Sequence, residues 1–93
     1  MRMIHKQTLE WIGNEEAHIY VPVHSLHLDV QMQGDDLTVW YLCDPKEQLK
    51  EKLTFRIVGT GWEIPDNFTQ NHFWVKTIEH TGYIWHVFLK QTR

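Results

Sequence analysis

Cysteine is almost absent from this 93-residue chain, Cys43 being the sole example. A single cysteine excludes an intrachain disulfide and a paired-cysteine metal knuckle, and it fits a reducing compartment. Charge of one sign is scarce too. Twelve acidic and nine basic side chains leave a formal charge of −3, with no acidic block and no basic tail. A polyphosphate partner would need a local basic patch that these totals do not supply, so nucleic acid is not an expected partner. No run approaches the roughly 18 apolar residues that span a bilayer. The opening MRMIHKQTLEWI also lacks the apolar core and small-residue cleavage site of a signal peptide. A cytoplasmic protein with no membrane partner is the expectation.

Apolar and aromatic side chains, by contrast, are plentiful. Hydrophobic types make up 42% of the chain, with five tryptophans, four phenylalanines and three tyrosines. That argues against general disorder and supplies one core. The length suits a single small β domain, residues 1–93.

Leu26, Leu28, Val30 and Met32 alternate with His27, Asp29, Gln31 and Gln33, the period of a strand with one buried face. Gly34-Asp35 fits a two-residue type II′ turn with glycine first. Closing a hairpin there pairs Met32 with Leu37, Val30 with Val39, Leu28 with Tyr41 and Leu26 with Cys43, which places all eight on one face. Cys43 then reads as a small core hydrophobe. The opposite face sets His27 beside Leu42 and Asp29 beside Trp40.

A second hairpin spans FWVKTIEHTGYIWHVFLK, residues 73–90. A His80-Thr81-Gly82 connection pairs Glu79 with Tyr83, Thr77 with Trp85, Val75 with Val87 and Phe73 with Leu89, whereas a two-residue Thr81-Gly82 turn changes the partners. Both faces are bulky and apolar, so this hairpin is covered on two sides or contributes to an interface. Residues 4–12 read as a strand, Ala17 to Val21 as its short return strand ending at Pro22, and Leu53 to Val58 as a further strand. Asp44-Pro45-Lys46-Glu47 carries helix-capping signals, so residues 44–52 form either a short charged helix or a loop with one helical turn. About seven short strands predict an all-β fold, a compact antiparallel β-sandwich or partly closed barrel with at most one short helix.

Gly59-Thr60-Gly61 lacks the third glycine of a dinucleotide fingerprint and the lysine of a P-loop, and Pro65 follows too soon for a long helix. The glycines suit a bulge or tight bend that lets Trp62 fold against the sheet. An anion-binding nest is the functional alternative, which makes Gly59, Thr60, Gly61 and Trp62 a candidate ligand loop. The seven histidines show no metal-ligand spacing, since His24 and His27 lie three apart and on a strand point to opposite faces. Ser25, beside His24, has no nucleophile-elbow context. No catalytic residue, metal ligand or cofactor site is nominated, and a non-enzymatic role is favoured. Trp40, Asp29 and His27 on one hairpin, with Trp74, Lys76 and His86 on the other, form a candidate protein-interaction surface, because tryptophan offers a large contact with an orienting N–H. The plain reading of the same residues is core filling and ordinary surface.

The combination of CDP at residues 43–45, FRIVGTG at 55–61, Ile64 and GYIWHVF at 82–88 resembles a group of small uncharacterised proteins of bacteriophages and prophages. PKEQLKEK and Trp62 depart from that pattern. The resemblance implies a viral or prophage origin and a compact β fold. With it, the first functional expectation is a non-catalytic phage accessory protein that binds a host or phage protein, with a homodimer compatible. A small-ligand or nucleotide sponge that counters host defence, and a structural virion component, are the alternatives.

Overall fold

A computed structural model describes residues 1–91. The strands are β1 (Met3–Leu9), β2 (Glu16–Pro22), β3 (Leu26–Gln33), β4 (Asp36–Cys43), β5 (Lys50–Gly59), β6 (His72–His80) and β7 (Tyr83–Lys90), with one 3-10 turn at Phe68–Gln70. They form two antiparallel sheets, β1-β4-β3 and β2-β5-β7-β6. The all-β expectation holds, and the architecture is a two-sheet sandwich. Val30, Leu37, Val39, Tyr41 and Cys43 from one sheet meet Ala17, Ile19, Val21, Phe55, Ile57, Val87 and Leu89 from the other in the buried core.

β2 is not the return strand of β1. β1 pairs with β4 and β2 with β5, so the chain crosses between sheets over residues 10–15. Inward residues explain the crossing: Leu9 and Trp11 cap one sheet, while Ala17, Ile19 and Val21 alternate into the core from the other. Gly13, at φ +80°, makes the bend, and the Asn14 N–H donates to Trp11 O at 3.0 Å. Pro22 ends β2 at a sheet edge, where its missing N–H costs no ladder bond.

The first hairpin turns at Gly34, φ +63°, and forms the expected Met32–Leu37, Val30–Val39 and Asp29–Trp40 pairs. A bulge at Leu28 then shifts the ladder, so that His27 opposes Tyr41 and Leu26 opposes Leu42. The expected Leu28–Tyr41, Leu26–Cys43 and His27–Leu42 pairs are therefore absent. Leu26 and Leu28 are 55% and 45% exposed, because one extra residue reverses the alternation beyond it. The Asp29 carboxylate stabilises the irregularity by accepting from the Val30 N–H at 2.8 Å, Gln31 Nε2 at 2.5 Å and Lys76 Nζ of β6 at 3.2 Å.

The second hairpin takes the two-residue turn. Thr81 and Gly82 have φ +52° and +82°, the signature of type I′, and His80 opposes Tyr83. Ile78 therefore opposes Trp85 and is buried, Thr77 opposes His86, and Lys76 opposes Val87. The pairs expected from a three-residue connection are corrected accordingly, except Phe73–Leu89, which a bulge at Val75 restores. This hairpin is covered on both sides in part. Phe68 is buried, sets its edge on Phe88 at 5.0 Å between centroids and stacks on His72 at 3.9 Å. Residues 44–49 form a turn and loop rather than a helix, the Asp44 carboxylate accepting from the Lys46 N–H and Glu47 from the Leu49 N–H.

Candidate functional site

Three separated chain segments bring tryptophans together at one end of the sandwich. Trp11 enters from the crossing after β1, Trp62 from the loop after β5, and Trp85 from β7 beside the Thr81-Gly82 turn. Trp11 meets Trp85 edge to face with centroids 5.2 Å apart and planes at 77°, and Trp62 meets Trp85 at 5.5 Å and 87°. His80 sets its ring against Trp11 at 5.5 Å. Edge-to-face contacts match the quadrupoles of the rings. Around them lies a cavity of about 470 Å³, with Ile57 and the Ile12–Glu15 bend among its walls.

The GTG stretch explains how Trp62 reaches this place. Gly61 at φ +89° takes the third position of a turn closed by the Trp62 N–H donating to Gly59 O at 3.1 Å. The Thr60 N–H is also committed, to Ile84 O at 3.2 Å. Both N–H groups face protein carbonyls, so the anion-nest reading loses two of its donors. The segment is a bend that delivers an indole. Gly59 has no side chain because Trp62 lies where one would stand.

The cavity wall carries one formal charge, Glu15, whose carboxylate lies 3.9 Å from Arg56 Nη1. No lysine or arginine is among its lining residues. Trp11 Nε1 and Trp85 Nε1 are buried N–H donors without an acceptor. Native proteins leave few such groups unsatisfied, because each lost bond costs about 1–3 kcal/mol.

The expected protein-interaction residues divide between the seam joining the two sheets and their outer faces. Asp29 lies opposite Trp40 and pairs with Lys76 across the seam between β3 and β6, with half-buried His27 two residues away. Trp74 and His86 belong to the outer face of the four-stranded sheet. There Trp74 Nε1 donates to Thr77 Oγ1 at 2.9 Å, Thr77 lies 3.0 Å from His86 Nδ1, and His86 Nε2 lies 2.7 Å from Thr60 Oγ1. One direction satisfies the whole chain: Thr77 donates to Nδ1, and Nε2–H donates to Thr60, whose hydroxyl turns to Ile84 O at 3.4 Å. Ser25 is a turn residue, its hydroxyl donating to Pro22 O at 2.5 Å. Sequence reasoning found Trp62 but passed over Trp11, His80 and Trp85 as site residues. Trp11 carried one usable signal, its place two residues beyond inward Leu9.

Among the described residues, no helix is long and apolar enough to cross a membrane. Comparison with curated proteins and with solved structures finds no match to the chain. A family profile, described as a domain of unknown function (DUF7352), matches residues 1–93. The chain therefore belongs to the DUF7352 family.

Proposed function

We propose that this chain is a non-catalytic binding protein whose ligand is a small molecule held in the tryptophan-lined cavity. The observation that carries the reading is the convergence of Trp11, Trp62 and Trp85 around about 470 Å³, within the range of about 300–1,000 Å³ usual for small-molecule sites. It keeps Trp62 of the expected ligand loop and moves recognition from backbone N–H groups to indoles. The resemblance of FRIVGTG and GYIWHVF to phage proteins supports a phage accessory role in the host cytoplasm. Tryptophan fluorescence against a small-molecule library tests it. A saturable change that weakens in Trp62→Ala is expected, and a library without a single saturable binder would refute it.

A second reading, binding of a host or phage protein, is supported by the β6–β7 hairpin. Phe73, Trp74, Tyr83 and Ile84 are 50%, 59%, 68% and 42% exposed there, and β6 is an edge strand with free ladder groups. It ranks second because its six expected residues do not share one surface. Affinity capture from host extract should recover the same partner repeatedly and lose it in Trp74→Ala. Retention of the partner by that variant would remove the hairpin from the reading.

A further inference from the structure

Aromatic surface and the sign of its charge together narrow what the tryptophan cavity holds. Its wall has three indoles, the acidic residue Glu15, and no lysine or arginine. Resting on the binding role above, we infer that the ligand is a small organic cation of quaternary-ammonium type, held against the indoles.

Trp62 is oriented by what it rests on. A Cβ on Gly59 would lie 2.8, 2.8 and 3.2 Å from Cε2, Nε1 and Cδ1 of its indole. Near-equal distances to three successive ring atoms put that point above a ring face, because an approach in the ring plane would leave one of the three much farther away. One face of Trp62 is therefore seated on Gly59. Gly59 is not part of the cavity wall, so the indole meets the cavity with its other side, and the residue is 56% exposed. Trp85 stands at 87° to that ring and Trp11 at 77° to Trp85, so aromatic surface bounds the space from more than one direction.

A cation within about 6 Å of a ring centre is drawn to the negative face of the quadrupole, and tryptophan is the strongest of the aromatic partners. An alkylated ammonium suits so apolar a wall, since its charge is spread over methyl groups and little hydration is lost. A metal ion needs several oxygen, nitrogen or sulfur ligands. Among the described residues no cluster of histidine, cysteine and acidic side chains could supply them. An anion would meet Glu15 and find no lysine or arginine on the wall. Arg56 lies outside the wall, 3.9 Å from a Glu15 side chain that is 79% exposed, which leaves the carboxylate open to a second cation.

The test titrates the full chain with three probes of one shape and different charge, read by tryptophan fluorescence at constant ionic strength. Choline, 3,3-dimethyl-1-butanol and 3,3-dimethylbutanoate share a three-methyl head and are cationic, neutral and anionic. One alkaline pH serves throughout, to keep positive charge off the His80 ring on the wall. Choline should bind about tenfold more tightly than the alcohol, and the anion more weakly than either. Trp62→Ala should cost choline about tenfold, while Glu15→Gln costs it about threefold and leaves the alcohol unchanged. Equal binding of choline and the alcohol would overturn the cation inference while leaving the binding role intact. Tighter binding of the anion, or full choline affinity in Trp62→Ala, would overturn it in the same way. No binding of choline into the millimolar range would also overturn it, and the library screen decides the broader role. Should Trp62→Ala lose the native fold by circular dichroism, Trp62→Leu, which keeps apolar bulk without a ring, serves in its place.

Discussion

A side chain at Gly59 would begin 2.8 Å from the indole ring of Trp62. Gly59→Ala therefore pushes a half-exposed ring rather than backbone, and a cost of about 1–2 kcal/mol in urea unfolding is expected. Removing the ring first, in Trp62→Ala, should make the same glycine substitution close to neutral. A full cost in that background would contradict the contact.

Phe68 closes the outer face of the four-stranded sheet, against Phe88 and His72. Phe68→Ala should destabilise by about 3 kcal/mol, as truncation of a buried aromatic does. Hydrogen exchange should report the loss first in β6 and β7.

Thr81 holds a β-branched side chain at φ +52°, where type I′ turns favour asparagine. Thr81→Asn should raise stability by about 1 kcal/mol in thermal or urea unfolding. A loss would mean that the Thr81 hydroxyl, which donates to His80 O at 2.7 Å, outweighs the backbone strain.

Burial pushes the Asp29 carboxyl up, but bonds from Gln31, the Val30 N–H and Lys76 outweigh it and hold the pKa below the ordinary 3.8. A depressed folded-state value stabilises above the unfolded pKa and is lost as pH falls through the folded one. The advantage of the native chain over Asp29→Asn should be full above about pH 4 and disappear in stronger acid. Lys76 and Asp29 remain 36% and 38% exposed, so the difference should not exceed about 1 kcal/mol. Denaturant titrations at a series of pH values measure it.

Local chemistry made much of the fold legible. The Gly34 turn and the first pairs beyond it follow from neighbouring residues, whereas the two-residue connection at Thr81-Gly82 displaced the expected three-residue one, because it needs a positive φ at β-branched Thr81 that local preference argues against. The bulges at Leu28 and Val75 left no comparable local mark. The first is bound up with Asp29 and Lys76, which lie 47 positions apart and belong to different sheets. A period-two pattern carries no record of a partner so distant.

Alternating side chains and glycine turns were enough to specify strands, their inward majority and the bend at Gly59-Thr60-Gly61, because each depends on residues a few positions apart. Partition into two sheets, exposure of Leu26 and Leu28, and assembly of Trp11, Trp62 and Trp85 into one cavity arose from long-range packing. Those outcomes depend on which surfaces meet once strands from distant parts of the chain are laid together, and no single stretch of residues encodes that encounter.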